Sequence, residues 1–267
     1  MKFLDLTFPS PAENLACDEA LLDWCETGGG GEVLRFWESP DYFVVVGYAN
    51  TVASEVNVAA CEARDIPILR RCSGGGTVVQ GPGCLNYALV LRITADGPTR
   101  SISVANRFIM ERNRAAIETL LPPGSRREEA LTSSPIQREG IQSLLTSAAT
   151  KRIEVRGHTD LVIGGRKFSG NSQRRRRKYL LFHGTFLLNF DLKLMGELLR
   201  MPALQPDYRR SRSHSEFVSN LNGLADDVKS ALQKSWAVAG QGPFVLQSEI
   251  ARLVEQKYSK PEWNRKF

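Results

Sequence analysis

The sequence predicts an α+β fold built on a mixed, largely antiparallel sheet flanked by helices, and three observations predict it. Strand-like runs arrive in pairs with helical stretches between the pairs, rather than in strict strand–helix–strand alternation. Gly164-Gly165, set between two apolar runs, is a two-residue hairpin signal of the type I′ kind. Ser10-Pro11-Ala12-Glu13 is a capping box with proline at the first helical position, so one helix start is written into the chain.

That helix is expected to run through Trp24, with Cys17, Leu21 and Trp24 on one face, and to end at Gly28 to Gly31. Val33-Leu34-Arg35-Phe36-Trp37 and Tyr42-Phe43-Val44-Val45-Val46-Gly47 read as two strands joined around Pro40-Asp41. A short helix near Val56 to Arg64 leads to a strand over Ile66 to Leu69, then to a glycine-rich turn and a return strand from Leu85 to Leu91. Those last two strands are expected to be antiparallel neighbours. A helix from about Val104 to Leu121 carries Phe108, Ile109, Ala116, Ile117 and Leu120 at helical spacing.

Over residues 122–150 the pattern dissolves into Pro, Gly, Ser, Thr, Arg and Glu, which reads as a flexible insert without chemistry. Strands resume at Ile153-Glu154-Val155 and Asp160 to Phe168, and Ser169-Gly170-Asn171 is expected to break the latter. Arg174-Arg175-Arg176-Arg177-Lys178 has no interleaved aromatics and reads as a solvated connection rather than a nucleic-acid contact. A strand from Tyr179 to Leu188 follows, then a helix capped by Asp191 that ends at Leu199. Two more amphipathic helices carry Leu224, Val228 and Leu232, and Ile250, Leu253 and Val254. No internal repeat is present, and residues 1–267 are expected to form one catalytic domain without a C-terminal accessory domain.

The bulk properties bound the function. A hydrophobic share of 42% and a charged share of 24% describe an ordinary globular protein. The net charge of +6 suits acidic partners but does not single out a nucleic acid. Five cysteines, odd in number and without a Cys-x-x-Cys pair, indicate neither a disulfide framework nor a zinc site, and they point to a reducing cytoplasm. No apolar run approaches the length of a membrane span, and the first residues are not a secretion signal.

Chemistry concentrates in Arg70-Arg71-Cys72-Ser73-Gly74-Gly75-Gly76-Thr77-Val78-Val79. Three glycines let the backbone converge its N–H groups on an anion, and two arginines are expected at the mouth. The loop lacks the Gly-Lys-Ser/Thr of a Walker loop and the Gly-x-Gly-x-x-Gly of a dinucleotide site. Lys167, just past the Gly164-Gly165 turn, is mounted on a rigid hairpin. His158, His183 and His214 are the only histidines, and neither paired carboxylates nor a Ser-His-Asp or Cys-His arrangement stands out. Cations plus backbone donors suit a reaction that gathers negative charge, such as attack of a carboxylate on the α-phosphate of ATP.

Several motifs in order carry a resemblance. Asn14-Leu15-Ala16 with Glu19-Ala20-Leu21, Val44-Val45-Val46-Gly47, the loop from Arg70 to Val78, Asn86-Tyr87, Asp160-Leu161, Gly165-Arg166-Lys167-Phe168-Ser169-Gly170 and His183-Gly184-Thr185 resemble the lipoate–protein ligase A family. Lys257-Tyr258 with Glu262-Trp263-Asn264 resembles the end of its catalytic domain. The resemblance implies the biotin/lipoate ligase fold, related to class II tRNA synthetases. It also implies a reaction in which lipoate (or octanoate), ATP and Mg2+ give an acyl-adenylate. The acyl group then passes to a lysine of a lipoyl domain, in a 2-oxoacid dehydrogenase complex or glycine cleavage H protein. By position it implies that Lys167 is catalytic and that Arg71, Ser73, Gly74, Gly75, Gly76, Thr77, Val78 and Val79 bind the ATP or acyl-adenylate. Arg70, Asn86, Asp160, Ser169, Gly170 and His183 are further substrate-site candidates, and no metal ligand is implied.

Departures from the family pattern keep alternatives open. Gln80-Gly81-Pro82-Gly83-Cys84 stands where a His-Asp pair and Gly-Asn are usual, and His158-Thr159-Asp160 replaces Arg-Asn-Asp. Some family members are split, which makes a separate accessory polypeptide an expected partner. An octanoyltransferase of the same fold, acting on octanoyl-acyl carrier protein, is the alternative. Its relatives carry a catalytic cysteine ahead of the Lys-x-Ser-Gly motif, whereas residues 140–157 contain none here. A noncatalytic acyl- or nucleic-acid-binding protein is the third reading.

Overall fold

The computed structural model describes residues 1–121, 152–241 and 246–267, so the expected insert over 122–150 lies outside the described residues. The described strands form two sheets. The larger contains β1 (Lys2–Asp5), β2 (Val33–Trp37), β6 (Cys84–Arg92), β7 (Ile153–Arg156), β8 (Asp160–Ile163), β9 (Arg166–Arg175) and β10 (Tyr179–Leu187), in the order β1-β2-β6-β10-β9-β8-β7. Only its β1–β2 pair is parallel. The smaller sheet has β3 (Phe43–Val46) between β4 (Ile68–Arg70), which is parallel to it, and β5 (Val78–Gln80), which is antiparallel. The mixed, largely antiparallel α+β architecture is the one the sequence predicts.

Alternation along the central strands sends residues to two cores. Leu85, Tyr87, Leu89 and Leu91 of β6, with Leu180, Phe182 and Phe186 of β10, face α4 (Ile102–Glu118) and the helix Ala225–Ser235. Ala88 and Val90, with Tyr179 and Leu181, face α1 (Pro11–Glu26) and the helix Gln247–Leu253. The parity matters for chemistry: it sends His183 of β10 and Arg35 of β2 to the α1 side. α1 starts at the expected capping box, but it buries far more than one stripe. Leu15, Ala16, Cys17, Ala20, Leu21, Leu22 and Cys25 are all buried, because the helix is sandwiched between the sheet and the helix Gln247–Leu253.

Two expectations are corrected. The strands before and after the glycine turn are not neighbours: β4 lies in the small sheet and β6 in the large one, with β3 and β5 completing the small sheet. The Arg71 amide bonds the Val46 carbonyl at 3.1 Å, which holds the chain beside β3 as it enters the turn. β2 and β3 are joined around Pro40-Asp41 as expected, and the connection carries the chain from one sheet to the other. β9 is not broken at Ser169-Gly170-Asn171, since those residues pair with Phe186, Thr185 and Gly184 of β10. A register shift at Leu161/Val162 takes up the irregularity on the β8 side, and cross-strand pairing outweighs the weak strand propensity of Gly and Asn.

Elsewhere the local signals hold. Gly164 and Gly165 have φ of +57° and +74°, as a type I′ turn requires. The helix expected near Val56 is two short ones, α2 (Val52–Glu55) and α3 (Val58–Glu62). Ser101 caps α4, starting it slightly earlier than expected. The helix Lys193–Leu198 is preceded by Asp191, whose carboxylate accepts the Lys193 amide at 3.1 Å. The basic run forms the end of β9 and the turn into β10. There Arg176 pairs with Asp23 at 2.8 Å, and Glu26 accepts the amides of Arg177, Lys178 and Tyr179. Among the described residues no helix is long and apolar enough to cross a membrane.

Candidate active site

A cavity of about 910 Å³ opens between the small sheet and the face of β9 and β10 that looks toward α1. From the glycine turn, Arg71 and Gly75 to Val79 reach its wall, and Asn86, Asp160, Lys167, Ser169, Gly170 and His183 line the far side. The fold thus brings together most of the residues singled out from the sequence. Arg70, Ser73 and Gly74 are not on the wall.

The arginines do not stand at the mouth. Arg70 is fully buried, and its guanidinium donates to the carbonyls of Gly47 at 2.7 Å, Asn50 at 2.8 Å, Trp263 at 3.0 Å and Asn264 at 3.2 Å. It fastens the C-terminal helix Pro261–Asn264 to β4. Arg71 turns inward to the carbonyls of Gly74 at 2.6 Å and Gly76 at 2.7 Å, and burial lowers its pKa to about 10. It braces the turn from within. The space near the turn also holds a carboxylate. Glu55, at the end of α2, accepts the Thr77 amide at 3.2 Å, the Thr77 hydroxyl, and the Asn50 side-chain amide at 2.7 Å. A turn expected to attract anions therefore already holds one. Glu55 thus occupies the amide and the hydroxyl that Thr77 presents at the turn.

Lys167 is held as the hairpin predicts. Its carbonyl accepts the Ser219 amide at 2.9 Å, and its Nζ lies 2.7 Å from Asp160 Oδ1. Tyr208 donates its hydroxyl to the other Asp160 oxygen at 2.7 Å. Burial and the Asp160 charge together push the Tyr208 phenol far above its ordinary pKa, so it remains a donor. A Cβ at Gly170 would lie 2.7 Å from Lys167 Nζ, so glycine leaves the space that the ammonium occupies.

Further residues join these candidates at the wall. Gln80 donates to Thr185 Oγ1 at 2.6 Å, and Thr185 donates to Asn86 Oδ1 at 2.6 Å. The Gln80 Oε1 is buried without a partner among the described residues, leaving an acceptor beside the cavity. A Ser-His-Asp grouping, invisible in the sequence, is also present. His183 Nδ1 lies 3.0 Å from Asp18 Oδ2, and its Nε2 lies 2.6 Å from Ser73 Oγ, which is 2.7 Å from Ser172 Oγ. Arg35 bonds Asp18 at 2.6 Å and the Asn14 carbonyl at 2.8 Å. Burial alone would raise the Asp18 carboxyl, but Arg35 and His183 together hold it below its ordinary value. Strand parity and an α1 register explain the cluster; spacing in sequence does not, because its members are scattered from residue 18 to residue 183.

All five cysteines are free and buried. Burial raises Cys17 to about 11 and Cys25 and Cys72 to about 12, and pushes Cys61 and Cys84 upward as well. No cysteine lines the cavity among the described residues, and residues 122–151 and 242–245 contain none.

Known proteins share this arrangement of elements. The chain is 26% identical to octanoyltransferase LipM of Geobacillus kaustophilus over 280 residues, covering 99% of this chain and 98% of that protein. It is equally similar to octanoyltransferase LipM of Bacillus subtilis, at 26% identity and the same coverages. Among solved structures, a bi-partite lipoate protein ligase from Thermoplasma acidophilum superposes with a TM-score of 0.75 at 21% identity, over 99% of this chain and 95% of that one. A lipoate-protein ligase A bound with ATP gives 0.72 at 24% identity, over 99% and 98%. The family model described as the lipoyl protein ligase A/B catalytic domain matches residues 10–116 and 125–237. The chain therefore belongs to the lipoyl protein ligase A/B catalytic-domain family and is an enzyme of the lipoate ligase and transferase group.

Proposed function

We propose that this enzyme is an acyltransferase that moves an octanoyl group, already activated as a thioester on acyl carrier protein, to a lysine of a lipoyl domain. The observation that carries this reading is the Glu55 carboxylate on the Thr77 amide. A nucleotide would have to bring phosphate to a turn whose nearest cation faces inward and whose amide already serves a carboxylate; two anions at that distance repel strongly in a partly desolvated site. A neutral thioester faces no such penalty. Its carbonyl needs one cation to stabilise the charge that develops on attack, and Lys167, fixed by Asp160 and β9, fills that role. The acceptor is a lipoyl domain of a 2-oxoacid dehydrogenase complex or glycine cleavage H protein. The full-length similarity to octanoyltransferases supports this reading.

The second reading is the ATP-dependent ligase, with ATP, Mg2+ and lipoate as substrates and a separate accessory polypeptide as partner. The Gly-Gly-Gly-Thr-Val run and Lys167 favour it by resemblance, and it also accommodates a cavity without a thiol. The two readings part in one assay. Purified enzyme is given a lipoyl domain together with either octanoyl-acyl carrier protein, or octanoate or lipoate with ATP and Mg2+. Mass spectrometry of the acceptor reads the result. Acylation from the carrier alone is expected, and acylation only with free acid and ATP would replace the first reading by the second.

A further inference from the structure

The reaction proposed above requires a base as well as a cation. The acceptor lysine is an ammonium near neutral pH and attacks only after losing a proton. Lys167 is itself a cation and cannot take that proton. Among the described residues no cysteine borders the cavity.

Beside the glycine turn, Asp18, His183, Ser73 and Ser172 form a chain of hydrogen bonds. Asp18 is ionised and can only accept, so His183 Nδ1 carries the proton and donates to it across 3.0 Å. In the neutral ring Nε2 accepts, and the Ser73 hydroxyl, 2.6 Å away, is the donor. Ser73 Oγ is left to accept from Ser172 Oγ at 2.7 Å. The chain begins at a buried carboxylate and ends at Ser172, which lines the cavity, while Ser73 is only 1% exposed. Ser172 sits directly opposite His183 in the β9–β10 register, so the sheet itself sets the spacing. Arg35 holds the other oxygen of Asp18, which keeps the carboxylate charged and oriented.

We propose that Ser172, Ser73, His183 and Asp18 form a proton relay that deprotonates the attacking lysine of the acceptor. This rests on acyl transfer to a lysine being the reaction, whichever donor supplies the acyl group. As the amine nitrogen bonds the acyl carbon and the bond to the leaving group breaks, one ammonium proton passes to Ser172 Oγ. The Ser172 proton moves to Ser73, and the Ser73 proton to His183 Nε2. The resulting imidazolium is paired with Asp18 and returns its proton to water. The leaving thiolate (or, from an adenylate, the AMP phosphate) departs with the bonding electrons, and the second proton on the nitrogen passes to that departing group or to water as the tetrahedral adduct collapses to the amide. No bond to the enzyme forms.

The test uses three variants of the full chain, Ser172→Ala, Ser73→Ala and His183→Gln, with preformed octanoyl donor and a lipoyl domain. A second acceptor carries S-(2-aminoethyl)cysteine in place of the target lysine, giving a less basic amine. Loss of a general base of this kind is expected to lower kcat by about 10²-fold or more, with the donor KM within about twofold. The less basic amine should recover much of that loss in the three variants and little of it in Lys167→Ala. Ser172→Ala, at the partly exposed end of the relay, guards against a folding artefact in the buried variants. Wild-type kcat in Ser172→Ala and Ser73→Ala would overturn the relay, and so would a loss that the less basic amine leaves untouched. An octanoyl ester found on Ser172 would overturn it as well, by making Ser172 a nucleophile. Failure of the wild-type enzyme to acylate any lipoyl domain from either donor would instead reject the functional reading on which the relay depends.

Discussion

Glu55 and Thr77 are joined twice, through the Thr77 amide and the Thr77 hydroxyl, and this contact places a carboxylate where the glycine turn directs its donors. The pairing has a measurable consequence. Wild-type enzyme is expected to bind ATP weakly or undetectably by titration calorimetry. Glu55→Gln keeps the size and one acceptor oxygen but removes the charge, and should strengthen ATP or inorganic pyrophosphate binding by about tenfold or more, in line with removing a like charge from a partly buried site. Tight ATP binding to the wild type, unchanged by the substitution, would show that Glu55 leaves the turn when nucleotide arrives.

Lys167→Ala is expected to abolish transfer while leaving the fold intact. The Lys167–Asp160 pair is partly exposed, so its loss should cost under about 1 kcal/mol of stability. Removing the cation at the reacting carbonyl should lower kcat by about 10²- to 10³-fold. Thermal unfolding alongside steady-state rates separates the two effects. A variant with near-normal turnover would move the catalytic centre elsewhere in the cavity.

Much of this was legible in the sequence, for identifiable reasons. The capping box at Ser10 and the Gly164-Gly165 hairpin are local signals, and both formed as expected. The residues lining the cavity from Gly75 to Val79 and at Lys167 followed from resemblance and turn chemistry. What sequence could not give was partnership over long separations. Nothing in Arg70-Arg71 says that both guanidiniums will turn to backbone carbonyls, because those carbonyls come from β3, the turn itself and the C-terminal helix. Glu55 and Asp18 carry no motif of their own, and only the small sheet and the α1 packing bring them to the turn and to His183.

The five thiols should be inert in the native protein. With every cysteine buried and its pKa raised, a disulfide reagent at pH 8 is expected to label negligibly without denaturant and all five positions with it. Octanoyl transfer should survive prior treatment with iodoacetamide. Rapid loss of activity with one equivalent of label would identify a cysteine that reaches substrate.

Asp18 links the site to stability. Its folded-state carboxyl titrates below the ordinary value of 3.8, so the stability it contributes is fully present above that value and is lost as pH falls through the lower, folded one. Asp18→Asn leaves the Arg35 guanidinium buried and uncompensated, and should cost roughly 3–5 kcal/mol. Denaturant unfolding at pH 7 reads the loss directly. The difference from wild type should shrink in strongly acid solution, where the wild-type carboxyl is itself protonated; a gap that stays constant down to that pH would mean the carboxylate charge is not what stabilises the pair.

The central claim is that this enzyme takes a preactivated acyl group rather than making its own adenylate. The most direct measurement is the rate of lipoyl-domain acylation from octanoyl-acyl carrier protein in the complete absence of nucleotide, with Lys167→Ala as the control. Sustained, Lys167-dependent turnover without ATP is the predicted result. An acceptor that remains unmodified until ATP, Mg2+ and a free acid are added would contradict it.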